Sequence, residues 1–179
     1  VAGFLLANGA LNDSDTLEIR KELIQNDKIE AIVVLPRELF ITTDISVTLW
    51  ILNQNKKGGK YHGRNLRNRE HEILFMDLRQ WTENAVKGES KKKVRLDTEQ
   101  IEKAADIYHT WQCEGTDGVA YEMPELYRSV CINEIESKGW ALTPSKYIEF
   151  IDHDLDIDYE KEMVRIQSEM KEVMKQEKK

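Results

Sequence analysis

Asp152, Asp154 and Asp156 alternate as D-x-D-x-D, the way a calcium-binding loop begins. Such a loop needs Gly at its sixth position for the turn and a bidentate Glu at its twelfth. Here those places hold Ile157 and Met163, so the series reads as a solvated acidic linker ahead of a helix. His109 and Cys113 stand four apart on a predicted helix, but zinc takes three or four ligands and no second pair has a suitable spacing. Cys113 and Cys131 are isolated, without a CxxC pair, and read as reduced thiols.

Phosphate contact is the chemistry the basic stretches invite. Residues 56–71, KKGGKYHGRNLRNREH, carry Lys56, Lys57, Arg64, Arg67 and Arg69 as candidates for the DNA backbone, with Tyr61 as one stacking ring. A second run, KGESKKKVR at 87–95, is a weaker candidate of the same kind. The competing reading for both is solvated surface, and the first has the composition of an exposed mobile loop.

The tail carries a different pattern. Tyr159, Met163, Ile166, Met170 and Val173 follow spacings of four, three, four and three, a heptad-like seam with charges elsewhere. A lone helix of that length is marginal, and each seam side chain gains roughly 1.5 to 3 kcal/mol on full burial. The seam therefore expects a partner, either its own domain or the helices of another subunit. Signs of catalysis are missing. The three prolines, Pro36, Pro124 and Pro144, form no Pro-Pro pair; no glycine-rich nucleotide loop follows a strand, and no nucleophile elbow or triad is evident.

The elements that must position these residues read as mixed α/β. A short buried strand is predicted at 3–7, then a helix opened by an Asp15/Glu18 capping box and ended at Asn26-Asp27. IEAIVVL at 29–35 lacks alternation, as a strand covered on both faces does. With the intervening helix, the first two strands make a βαβ unit. SVTLWILN at 46–53 follows after only about ten residues, too few for a parallel crossover, so it must run antiparallel to 29–35 as a hairpin at one side of an otherwise parallel sheet. A further strand is predicted at 72–78, a helix at 98–111, a short helix bracketed by Asn133 and Gly139, and the last helix from Tyr159.

With 179 residues, 40% hydrophobic and 33% charged, the chain is long enough for one globular domain or part of a larger one. A net charge of -7 argues against coating nucleic acid by bulk charge. No apolar run reaches membrane-spanning length, and the expected location is cytoplasmic. The chain opens with VAGFLLANGAL instead of Met, as a processed chain or the remainder of a longer polypeptide would.

AGFLLANGALN at 2–12, IRKELI at 19–24, IEAIVVLPRELF at 29–40, VTLWILNQNKK at 47–57, ILFMDLR at 73–79, IEKAADIYHTW at 101–111 and LTPSKYI at 142–148 together resemble the modification subunit of type I restriction-modification systems, the DNA adenine-N6 methyltransferases. One place departs: relatives often have Thr-Gly-Ile-Pro-Val where this chain has Thr43-Asp44-Ile45-Ser46-Val47. The resemblance implies part of an S-adenosylmethionine-dependent methyltransferase sheet, Rossmann-like, ending in an antiparallel hairpin. Residues 1–150 would be the C-terminal part of that α/β domain with its helical extension, and 151–179 an acidic linker and a subunit-docking helix. In this family the cofactor loop and the Asn-Pro-Pro-aromatic motif lie upstream of the block matched by AGFLLANGAL. The full-length subunit would then use S-adenosylmethionine, whereas this chain alone would bind none and be inactive. Implied partners are a specificity subunit, a second modification subunit, a restriction subunit and DNA. By the same resemblance Phe40 forms one wall of the pocket for the extruded base, against the plainer reading of a core residue plugging the hairpin. An assembly or DNA-binding module without chemistry is the alternative.

Overall fold

The computed structural model describes residues 1–40, 44–82, 86–87, 92–118, 120–151, 159 and 163–170. The Asp152, Asp154 and Asp156 series and Val173 lie outside them, as does part of the 87–95 stretch. In chain order the elements are β1 (Ala2–Ala7), α1 (Leu17–Gln25), β2 (Ile29–Val34), β3 (Val47–Leu52), β4 (Gly59–Tyr61), β5 (Arg64–Leu66), β6 (Glu72–Asp77), β7 (Val86–Lys87), β8 (Lys92–Lys93), α2 (Thr98–Gln112), β9 (Glu122–Met123), β10 (Tyr127–Cys131) and α3 (Ile132–Ser137). One six-stranded sheet runs in the order β1-β3-β2-β6-β10-β9, and β4-β5 and β7-β8 form separate two-stranded pairs.

The short connection after β2 does return as an antiparallel strand, with Val34 opposite Thr48 and Ile32 opposite Trp50. The return strand does not sit at the side, however. β3 is antiparallel to both β2 and β1, so it lies between two strands that run parallel to each other and are joined through α1. Ser46 helps close the turn: its hydroxyl donates to the Leu35 carbonyl at 2.5 Å and the Leu35 N–H donates to the Val47 carbonyl at 2.9 Å. β6 joins β2 in parallel, and beyond it β10 and β9 are antiparallel, which makes the sheet mixed.

Both faces of the central strands are covered. Ile32 and Val34 of β2 with Ile73 and Phe75 of β6 pack against Ile24 of α1 and Ile135 of α3. Ala31, Val33, Leu74 and Met76 point the other way, against Ile107 and Trp111 of α2. That double cover explains the missing alternation in IEAIVVL. β1 differs from the expectation of burial. All six of its residues are exposed because it is the rim strand, with Phe4 51% and Leu5 52% accessible. Between β1 and α1 an apolar groove of about 150 Å³ is lined by Phe4, Leu6, Ile19, Leu23 and Trp50. Trp50 is buried, and its indole N–H has no hydrogen-bond partner among the described residues.

Helix starts follow local chemistry only in part. Asp97 caps α2 by accepting from the Gln100 N–H at 2.8 Å, with the Gln100 side chain bonding back at 3.2 Å. The Asp15/Glu18 box is not formed. α1 begins at Leu17 after a 3-10 turn at Ser14–Thr16 and has no side-chain cap; buried Arg20 instead bonds the Ala10, Asp13 and Trp140 carbonyls and the Thr16 hydroxyl. α3 likewise lacks a side-chain cap, starting at Ile132 rather than after Asn133, while Gly139 follows it at φ 72°. Residues 163–170 are helical, and Tyr159, Met163, Ile166 and Met170 are all exposed. No described helix is long and apolar enough to cross a membrane.

Candidate functional site

Parallel strands gather their C-terminal ends on one edge, where loops are free to vary and ligands are usually held. On that edge β1 runs into the turn at Asn8–Leu11, β2 into the 35–40 loop, and β6 into Leu78 and Arg79. Between them is an open cleft of about 460 Å³, lined by Asn8, Arg37, Ser46 and Arg79. Buried Thr48 donates to the Asn8 side-chain oxygen at 2.6 Å, so the Asn8 amide nitrogen is left as a donor for a ligand. Arg79 grips Asp77 in a fork, Nε to Oδ1 at 2.9 Å and Nη2 to Oδ2 at 2.5 Å. The hydrogen bonds from its guanidinium to Asp77 raise the Arg79 pKa against the effect of burial. Arg37 is exposed and makes a long contact to the Asp44 carbonyl at 3.5 Å. Glu38 holds φ 60°, an unusual value for a residue with a Cβ, and its carbonyl accepts from the Val94 N–H at 3.3 Å. Phe40, half-buried, ends the described part of this loop.

The cleft is a donor-rich surface suited to binding. Among the described residues that line it none is a carboxylate, a histidine or a cysteine. It does not fit S-adenosylmethionine. The strand-end carboxylate near it, Asp77, is buried and held in a fork by Arg79, so it is not free to take a ribose diol. A Cβ on Gly9 would meet the Asp13 carboxylate at 2.5 Å, so an acidic side chain lies against the turn after β1. Among the described residues no group of three or more His, Cys, Asp or Glu could hold a metal, and His109 and Cys113 remain a pair.

The basic stretch at 56–71 is neither on this edge nor a loose loop. It lies at the opposite end of the sheet, beyond the start of β2 and the end of β3, and folds back as the β4-β5 hairpin. Three of its five candidate cations serve the fold. Lys56 reaches Asp27 at 2.5 Å and the carbonyls of Ile29 and Glu72, with 1% of its side chain accessible. Arg67 forks onto Glu72 at 3.1 and 2.8 Å and donates to the Trp111 carbonyl at 2.7 Å. Arg69 donates to Glu30 at 3.0 Å, both side chains being sealed from solvent. Lys57 is exposed and Arg64 half-buried.

Sequence reasoning missed Glu30. The register of β2 against β3 shifts between Ile29 and Ala31, a bulge that leaves Glu30 without a cross-strand partner and turns its carboxylate inward. It accepts from Asn53 at 2.8 Å, Arg69 at 3.0 Å, Tyr108 at 2.8 Å and Gln112 at 3.2 Å. Burial, followed by the nearby Glu30 charge, pushes the Tyr108 phenol well above its ordinary value. The available signal was a lone Glu inside an apolar strand covered on both faces, which can persist only with paired partners.

Comparison with known proteins agrees with this architecture. Residues 1–155 match the family model for N-6 DNA Methylase. The HindI type I restriction enzyme methylase subunit of Haemophilus influenzae is 36% identical over 149 residues, covering 80% of this chain and 29% of the relative. The MjaVII methylase subunit of Methanocaldococcus jannaschii is 32% identical over 177 residues, 98% of this chain and 26% of the relative. This chain thus spans under a third of these relatives' length. Among solved structures, the type I restriction-modification methyltransferase subunit from Streptococcus thermophilus superposes with TM-score 0.61 at 20% identity, over 82% of this chain and 26% of that one. The EcoKI M protein gives TM-score 0.53 at 15% identity, over 98% and 40%. At these identities the structures speak for the fold.

Proposed function

The chain belongs to the N-6 DNA methylase family, and on that premise we propose that it forms the C-terminal part of the modification subunit of a type I restriction-modification enzyme. The observation that carries the reading is the family match across residues 1–155, which takes in the antiparallel β3 seated between β1 and β2. In the full-length subunit an extruded adenine is methylated at its exocyclic amine, with S-adenosylmethionine as donor. The cofactor and the residues that hold the amine belong to other parts of that subunit. This chain contributes a wall: Phe40 contacts the extruded base, and Asn8, Arg37 and Arg79 face the same edge. Of the five basic candidates, Lys57 and Arg64 are the two left for DNA phosphates, since Lys56, Arg67 and Arg69 are bound to Asp27, Glu72 and Glu30.

The tail supplies assembly. An exposed seam of Tyr159, Met163, Ile166 and Met170 favours docking on the helices of the specificity subunit, in an enzyme that also holds a second modification subunit and a restriction subunit. A methyl-transfer assay with labelled S-adenosylmethionine tests the whole reading. The chain alone transfers nothing, while the full-length subunit with its specificity partner labels duplex DNA at adenine. Label incorporated by the chain alone would sink the proposed division of labour. Phe40→Ala in the full assembly lowers kcat/KM by roughly 5- to 100-fold, the range of one base-aromatic contact, with cofactor affinity unchanged.

A further inference from the structure

At the end of the sheet opposite the cleft, the β4-β5 hairpin and the last turn of α2 enclose a cavity of about 370 Å³. One wall is tied to the helix. The Arg67 N–H donates to the Gln112 carbonyl at 2.9 Å and the Glu114 N–H to the Asn65 carbonyl at 3.0 Å, which ties the hairpin to α2. Gly58, at φ 86°, lies so close to the 66–67 backbone that a Cβ would meet the Leu66 carbonyl oxygen at 2.6 Å. The floor is the Glu30 network, with Arg69, Tyr108 and Gln112 reaching the cavity from below.

The charge is one-sided. Arg64 and Arg69 both line the cavity, and Glu30 beneath the floor matches Arg69, so one guanidinium is not balanced locally. Among the described residues the Arg64 guanidinium has neither an ion-pair nor a hydrogen-bond partner, although Arg64 is half-buried and its charge is felt at Tyr108. None of the described lining residues is a carboxylate. Tyr61 stands directly across the hairpin from Arg64, so both side chains leave the same face, and its ring is 55% accessible. An unpaired guanidinium fork beside an exposed aromatic face matches a phosphate joined to a planar base.

We propose that this cavity is a nucleotide-unit site, in which Arg64 takes the phosphoryl oxygens and Tyr61 stacks on the attached base. The unit is either a free mononucleotide or one residue of a single nucleic-acid strand. The proposal deepens the phosphate role given to Arg64 and does not depend on methyl transfer, which occurs at the other edge of the sheet. Titration of the full 179-residue chain with inorganic phosphate, dAMP, glutamate and a single-stranded oligonucleotide, followed by amide and side-chain NMR shifts, tests it. dAMP binds about 10-fold tighter than inorganic phosphate, Arg64→Gln weakens dAMP about 10-fold or more, and Tyr61→Ala removes the preference for dAMP over phosphate. Both variants keep the wild-type melting temperature. Oligonucleotide binding tighter than dAMP, with a steep salt dependence, identifies a strand as the source; equal affinities identify the free nucleotide. Glutamate binding as well as dAMP, or Arg64→Gln binding dAMP like the wild type, overturns the proposal.

Discussion

Glu30 shows how one side chain organises one end of the molecule. A carboxylate sealed inside a strand persists because Asn53, Arg69, Tyr108 and Gln112 converge on it, and removing its charge partner strands it. Arg69→Met costs about 3 to 5 kcal/mol in urea unfolding, and Tyr108→Phe about 1 to 2 kcal/mol, whereas Lys57→Gln is neutral. An Arg69→Met chain as stable as wild type would remove the network from the account of the fold. Glu134 works at the surface and is sensitive to pH. Burial would raise its carboxyl, but hydrogen bonds from Lys138 and Arg128 outweigh that and hold it below the ordinary carboxylate value. A depressed folded value stabilises above the unfolded value and loses that stabilisation as pH falls through the folded one. Glu134→Gln therefore costs less than about 1 kcal/mol at neutral pH, and the gap from wild type closes in acid. Melting curves from neutral to acid pH check it; a constant gap refutes the sign. The Glu30 partnerships were not legible in the sequence, because Glu30 meets Arg69, Tyr108 and Gln112 across separations of 39, 78 and 82 residues, whereas Glu134 and Lys138 stand only four apart. A charged letter reports its sign and not its burial, which is why Lys56 and Arg69 read as surface.

Elements were far more legible than contacts. The ten-residue gap before β3 forces an antiparallel return whatever the rest of the chain does, and α2 carries its own start signal in the Asp97 cap. Where an element's place depends on a distant neighbour, local reading failed. β1 has the composition of a buried strand and lies at the rim, and the 56–71 stretch has the composition of a loop yet is stapled by Lys56, Arg67 and Arg69. The tail was legible as a pattern only. Its seam residues are accessible among the described residues, so Ile166→Asp or Met163→Asp leaves the melting temperature of the chain unchanged and abolishes co-elution with the specificity subunit on size exclusion. Co-elution that survives both changes places the docking surface elsewhere.

Taken whole, the molecule has two candidate sites separated by the length of its strands. Asn8, Arg37, Arg79 and Phe40 collect at the edge where β1, β2 and β6 finish, and Tyr61, Arg64 and the Glu30 network at the edge where β2 and β6 begin. Composition marks the basic stretch and the resemblance marks Phe40; only the direction of the strands sets the two apart. The rim at β1 is the third surface of note. A strand with Phe4, Leu5 and Leu6 exposed is a template for pairing with another chain, so the chain on its own self-associates with rising concentration. Leu5→Lys suppresses that in sedimentation equilibrium, and a wild-type chain that stays monomeric at every concentration refutes it. Beneath the groove beside that rim lies the indole of Trp50, without an acceptor among the described residues, and it gives the molecule an optical reporter. An indole in apolar surroundings emits at short wavelength, and a partner that covers the groove Trp50 lines changes the polarity beside its ring and so shifts that emission. The difference spectrum between the wild type and Trp50→Phe would therefore follow, in real time, the moment this chain stops being alone.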